Sequence, residues 1–153
     1  MTPRGHALLS EELRHKKEVE RHQIVRDIEE ARAHGDISEN SEFEDAKHRQ
    51  ALCEGRIREL EGKLAASEVI DVTKMQPSDR VVFGVTVDIE DADTGKEYTY
   101  KIVGTDEADV KAGLVSVTSP IGRALVGREE GDEVTVNAPG GKRVYAINAV
   151  HYK

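Results

Sequence analysis

The sequence contains no tryptophan, and with two phenylalanines and four tyrosines only 4% of its residues are aromatic. Together with 37% hydrophobic and 34% charged residues, this fits a soluble protein with much solvated surface. A single cysteine, Cys53, excludes an internal disulfide and a cysteine-based zinc site. Cys53 is expected to be a small apolar packing residue. No run approaches the roughly 20 apolar residues of a membrane span, and MTPRGHALLSEEL lacks an apolar stretch of signal-peptide length. A cytoplasmic location without membrane contact is the expectation. Positive charge is also in short supply: 22 Lys and Arg stand against 30 Asp and Glu, a net charge of −8. Tight, sequence-independent attachment to nucleic acid needs the opposite balance. Any nucleic-acid role is therefore indirect or local, without independent sequence-specific DNA binding. Cut at residue 70, the chain has 12 basic and 16 acidic residues before and 10 and 14 after, so each part carries −4 and the acidity is not a tail.

Catalytic signatures are missing as well. The six histidines, at 6, 15, 22, 34, 48 and 151, form no HExxH pair, and no Gly-x-Ser-x-Gly elbow occurs. The string DEAD at positions 106 to 109 resembles a helicase signature, yet no Walker glycine-lysine loop accompanies it and it falls in a polar loop, so it reads as chance. The chain on its own does not look like an enzyme.

What is present is helix-forming sequence followed by strand-forming sequence, and 153 residues suffice for two small domains. From Ser10 to Ala33 there is no glycine or proline, which predicts one long helix. Its apolar marks are Leu9, Leu13, Ile24, Ile28 and Ala31, with Val19 nearly alone between them. Gly35 breaks it. A second helix starts near Asn40 or Ser41, where Ser41 and Glu44 match a capping box. Along it Ala46, Gln50, Cys53, Ile57, Leu60 and Leu64 follow a heptad seam. Two helices joined by so short a turn fold back as an antiparallel hairpin, an arm roughly 36 Å long with a thin seam and a charged surface.

After MQPSD the period changes to two. RVVFGVTVDIE, KEYTYKIVG, LVSVT, DEVTV and RVYAINAVHY read as strands, and SPIGRALVG as a short helix with proline at its first position. The fold class is α+β: an antiparallel coiled-coil hairpin over 1–72, a linker over 73–79, and a small antiparallel sheet domain with one short helix over 80–153.

Between the helices, HGDISENSEFED packs five carboxylates into twelve residues. Glu42, Glu44 and Asp45 suit the first turn of a helix, whose dipole favours acids. Asp36 and Glu39 precede it, where repulsion is not offset in that way. They are either solvated loop residues or oxygen ligands for a hard cation such as Mg²⁺, which two carboxylates alone bind weakly. They become effective where other phosphate or metal ligands already stand.

ARAHGDISENSEFEDAK resembles the coiled-coil tip of the bacterial Gre transcript cleavage factor family. The likeness extends over MTPRGHALLSEEL, EGRIRELEGKLAASEVID, DRVVFGVTV, IVGTDEADVKAGLVSVTSPIGRALVG and GDEVTVNAPGGKRVY. It implies an amino-terminal coiled coil and a carboxy-terminal FKBP-like domain. It also implies an accessory transcription elongation factor, whose arm enters the secondary channel of backtracked bacterial RNA polymerase and stimulates transcript cleavage. On this resemblance Asp36 and Glu39 are the essential tip acids, positioning Mg²⁺ shared with the polymerase and its water, with Glu42 in support. Arg32 and Lys47 match parts of a basic patch that touches the RNA 3′ end, although both also suit an ordinary charged helix surface. Thr118, Ser119 and Pro120 match the segment that docks on the polymerase rim. Phe43 stands where many relatives have tyrosine, so a hydroxyl contact at the tip is missing.

Two other readings compete. A homologous arm could occupy the channel without promoting cleavage, but altered tip acids would mark that function, and Asp36 and Glu39 remain. The FKBP-like domain could be a peptidyl-prolyl isomerase or chaperone, which needs an apolar pocket lined with rings. The domain offers Phe83, Tyr98, Tyr100, Tyr145 and Tyr152, with Tyr98 and Tyr100 on one strand face.

Overall fold

The computed structural model describes residues 1–33 and 41–153. The chain divides into two compact units, one of His6–Ser67 and one that joins Met1–Gly5 to Glu68–Lys153.

The first unit is the helical hairpin. Helix α1 (Pro3–His15) leads into a π-helical turn (Lys16–Glu20) and then α2 (Arg21–Ala33), and α3 (Ser41–Ala66) returns. The sequence predicts one unbroken helix from Ser10, and the structure differs at two points. The helix begins at Pro3, because proline is compatible with a first turn and Thr2 caps it, its Oγ1 accepting the Gly5 N–H at 3.1 Å. The ladder also widens over Lys16–Glu20, which buries no residue. That segment is where the apolar marking is thinnest, and its Val19 is 49% exposed. A widened turn of this kind is uncommon inside helices. Across from it, the buried Cys53 thiol lies 4.0 Å from the Lys16 carbonyl, and burial raises its pKa.

The seam follows the heptad reading. Leu9, Ile24 and Ala31 are buried on one side and Ala46, Cys53, Ile57 and Leu60 on the other, while Leu13 and Ile28 pack partly buried against Ile24, Cys53 and Ile57. Gln50 and Leu64 are half-buried. Charged pairs flank this stripe. Arg21 grips Glu54 through two hydrogen bonds of 2.7 and 2.9 Å, and Arg56 grips Glu12 at 2.7 and 3.0 Å. Farther along, Arg49 meets Asp27 at 3.0 Å.

The second unit is a five-stranded sheet in the order β3-β2-β1-β5-β4, with β1 Thr86–Asp91, β2 Glu97–Val103, β3 Leu114–Ser116, β4 Glu133–Ala138 and β5 Gly141–His151. All five predicted strands are present, but the sheet is mixed. β3 runs parallel to β2, with Ile102 beside Val115. A tight hairpin would make them antiparallel; instead the chain leaves β2 through Gly104 and two 3-10 turns, Thr105–Glu107 and Val110–Ala112. A crossover of this length, unlike a two-residue hairpin, returns the chain to the end where β2 began. β1 starts later than RVVFGVTVDIE suggests. Gly84 adopts a left-handed φ of 91° and the Val85 N–H turns back to the Val82 carbonyl, so residues 82–85 form a turn that separates the bridge at Arg80 from β1.

Alternation along β1 sends Val87, Ile89 and Asp91 inward. With Val81, Val85, Ile102, Leu125 and Ile147 they make the core. Val72 is buried in the same cluster and Ile70 packs on it, so both belong to the sheet unit. Asp91 is the polar exception, 1% exposed, accepting the N–H groups of Asp93 at 2.8 Å and Thr94 at 3.2 Å and the Arg143 guanidinium at 3.0 Å. Those bonds, led by the Asp93 amide, hold its carboxyl below the usual range.

Helix α4 (Pro120–Leu125) packs on the sheet through Leu125 and the partly buried Ile121. Its Gly122 approaches the strand end so closely that a Cβ there would lie 2.1 Å from the Ser116 carbonyl oxygen. Gly62, inside α3, has open space around it. Opposite outcomes are expected from the same substitution: Gly122→Ala should destabilise the sheet unit by about 1–3 kcal/mol through a forced backbone shift. Gly62→Ala should stabilise the hairpin by roughly 0.5–1 kcal/mol through helix propensity. Urea denaturation of each variant, read by the midpoint, checks both signs.

Candidate functional site

Two segments carry the residues singled out from the sequence, one in each unit. Asp36 and Glu39, in the sequence between α2 and α3, lie outside the described residues, so the site is built here from its flanks. α2 ends at Ala33 and α3 opens at Ser41, with Glu42 and Glu44 in its first turn. These acids complement the positive end of the helix. Just below, Asp27, Glu30, Ala31, Glu42, Asp45 and Arg49 line a cleft between the two helices.

Asp27 is the best-anchored acid of this cleft. It accepts from Gln23 Nε2 at 3.0 Å and from Arg49 Nη1 at 3.0 Å, and the Gln23 bond followed by the Arg49 pair lowers its pKa. Sequence reading assigned no role to Asp27, Glu30 or Arg49. Their signal was present only as the i, i+4 spacing of Gln23 and Asp27, because the match to Arg49 crosses between helices. Arg32, one residue before the end of α2, and Lys47, in the second turn of α3, are both exposed. Phe43 is half-buried. Among the described residues no group of three or more His, Cys, Asp or Glu side chains could hold a metal ion, and no helix is long and apolar enough to cross a membrane.

In the sheet unit, Thr118, Ser119 and Pro120 form the entry to α4. Ser119 is its N-cap, Oγ accepting the Gly122 N–H at 3.1 Å while donating to the Ser116 carbonyl at 2.6 Å. Both capacities of its hydroxyl are thus used inside the turn. Thr118 belongs to an exposed group of hydroxyls, with Ser116 Oγ at 2.7 Å and Thr105 Oγ1 at 3.3 Å from Thr118 Oγ1. Thr118 and Pro120 are exposed and Ser119 is only partly so. Thr118 and Pro120 are thus the exposed surface of a turn that Ser119 holds in shape.

The rings lie elsewhere. Tyr98 and Tyr100 stack at 5.6 Å and Tyr145 meets Tyr98 edge-on at 6.2 Å. All three are half-buried against the core, and burial raises the pKa of Tyr100 and Tyr145. They pack on one another, which is what stabilises such rings.

The sequence matches two family models in succession: "Transcription elongation factor, N-terminal" over residues 1–69 and "Transcription elongation factor, GreA/GreB, C-term" over residues 76–152. The chain belongs to the GreA/GreB family of transcription elongation factors. Proteins named transcription elongation factor GreA resemble it over almost their whole length. The one from Hyphomonas neptunium is 58% identical, with 100% of this chain and 97% of that protein covered. The one from Alkalilimnicola ehrlichii is 56% identical, with 99% and 96% covered. Among solved structures, the GreA factor homolog 1 (Gfh1) of Thermus thermophilus matches at 27% identity over 99% of this chain and 97% of that one, with a TM-score of 0.44.

In this GreA/GreB-family hairpin the flanking pairs make the arm sensitive to acid. Glu12 and Glu54 have pKa values lowered chiefly by their hydrogen bonds to Arg56 and Arg21, as Asp27 has by Gln23 and Arg49. A depressed folded pKa means stabilisation that is complete above the unfolded value of about 4 and is lost as pH falls through the folded one. Thermal melts of helix circular dichroism should show the melting temperature falling between about pH 5 and pH 2. The Arg21→Gln, Arg56→Gln double variant should show a shallower fall; an equal slope would mean that these pairs do not contribute.

Ser119→Ala should cost about 0.5–2 kcal/mol of sheet-unit stability through the lost cap. Thr118→Ala, which removes an exposed hydroxyl, should stay within about 0.5 kcal/mol in the same urea titration.

Proposed function

We propose that this GreA/GreB-family chain acts on backtracked bacterial RNA polymerase, reaching through its secondary channel with the hairpin and stimulating the polymerase's own cleavage of the transcript. The observation that carries the reading is the match to both family models over nearly the whole chain, in a sequence that keeps Asp36 and Glu39 between α2 and α3. The chain is an accessory factor in this reading, and the polymerase performs the hydrolysis.

Asp36 and Glu39 present the hard oxygen donors that suit Mg²⁺, and they would hold it together with groups of the polymerase site. When bound, Mg²⁺ supplies Lewis-acid activation of water and charge neutralisation at the phosphodiester. Asp36 and Glu39 orient the ion and its water, and Glu42 adds negative potential from the first turn of α3. The exposed Arg32 and Lys47 offer cations to the phosphates of the nascent RNA 3′ end, a local contact compatible with the acidic balance of the chain. Thr118 and Pro120 meet the polymerase rim, with Ser119 maintaining the turn. The cytoplasm is where such a partner resides.

The test is transcript cleavage in a stalled, backtracked elongation complex with Mg²⁺. Wild-type protein should stimulate cleavage, while Asp36→Ala and Glu39→Ala should return it to the level without factor and keep polymerase affinity nearly unchanged. Pro120→Ala should weaken affinity instead. Binding without cleavage by the wild type would establish a channel blocker, and loss of affinity in step with cleavage in the tip variants would contradict the division of labour.

A further inference from the structure

The DEAD string, which has no helicase context, contains a side chain with a specific place in the fold. Glu107 lies in the first 3-10 turn of the crossover between β2 and β3, and its carboxylate accepts three hydrogen bonds on its two oxygens. Oε1 takes the Thr2 N–H at 2.9 Å and the Thr2 hydroxyl at 2.6 Å. Oε2 takes the Gly104 N–H at 2.7 Å. Thr2 is itself buried and in turn caps the Gly5 N–H. The Met1 carbonyl accepts the Ile70 N–H at 3.0 Å, so residues 1 and 2 are held from two sides. Gly5 completes the fit: a Cβ there would stand 1.6 Å from Glu107 Oε1.

We infer that Glu107, Thr2 and Gly5 form a clasp that fastens the first turn of α1 to the sheet unit, with the carboxylate as its catch. Helix α1 continues from this clasp, so the clasp fixes the first residues of that helix against the 3-10 turn. Its chemistry demands an acceptor on both oxygens. Glutamine has the same shape but presents an NH₂ on one side, so either orientation sets a donor against the Thr2 donors or against the Gly104 N–H. Loss of that match leaves a part-buried donor unpaired. Gly5 gives a second and opposite handle. Alanine inside a helix is ordinarily stabilising relative to glycine, whereas here its methyl group would expel the carboxylate.

The inference stands apart from the proposed activity and is tested without polymerase. Native-state amide exchange of the full chain by NMR, each rate taken relative to that of the unstructured residue, should show the amides of residues 5 and 104 exchanging at least about 10-fold faster in Glu107→Gln and in Gly5→Ala. The Ile147 amide, in the sheet core, should stay within about twofold, because only local opening is affected. Thr2→Ser, which retains the hydroxyl, should preserve slow exchange at Gly5, and Thr2→Val should not. Unchanged exchange at Gly5 and Gly104, an equal rise at Ile147, or a more protected first turn in Gly5→Ala would each overturn the clasp.

Discussion

The hairpin depends on a seam one side chain wide. Ile24, Cys53 and Ile57 form its buried centre, with Leu13 and Ile28 only partly covered, and such a stripe removes little apolar surface from water. Burial still supplies the attraction between the helices, but a stripe of similar aliphatic groups discriminates poorly among registers. The bidentate pairs Arg21–Glu54 and Arg56–Glu12 do discriminate, because a planar guanidinium meets a carboxylate in one geometry. They are partly exposed, so each adds little to stability. Their contribution is one of alignment: a slip of one heptad would keep apolar groups in the seam but move each Arg about 10 Å along the axis from its Glu.

The sheet unit solves the opposite problem. Its core is continuous and aliphatic, with Val81, Val85, Val87, Ile89, Ile102, Leu125 and Ile147 almost wholly buried, and polar groups are used only where the backbone must turn. Asp91 closes the turn after β1, Ser119 opens α4, and Glu107 holds the crossover against the chain start. Each is a side chain substituting for a missing backbone partner, which is why each is buried or partly buried without being left unsatisfied. Such residues constrain shape at points where an aliphatic side chain would leave amides unpaired.

This contrast explains what was legible in the sequence. Periodicity reports faces, so the seam of α3 from Ala46 to Leu60 and the inward residues of β1 could be read directly. The Pro3 start was missed because glycine at position 5 argues against helix, and the reason for that glycine is Glu107, roughly a hundred residues away. The parallel pairing of β2 and β3 was missed for a related reason: strand patterns carry no direction, and only the path of the 3-10 crossover sets it. At the hairpin end, residue types alone left Asp36 and Glu39 between solvated loop and cation ligand, and family likeness supplied the rest. The Asp27–Arg49 pair has no mark in the sequence beyond the Gln23–Asp27 spacing, since the pairing exists only once the register is fixed.

The same logic separates what a partner can touch from what holds the touching residues in place. In SPIGRA the serine, by type, is the obvious polar contact. The structure commits its hydroxyl in both directions, to Ser116 and to Gly122. Its one proton is already donated, so a partner could add only a donor at the remaining lone pair, on a side chain that is partly buried. Thr118 and Pro120, exposed on either side, have surface to give up. The exposed surface of this turn is therefore supplied by the neighbours of its most polar-looking residue. Their presentation is fixed by a capped helix packed through Gly122 onto the end of β3.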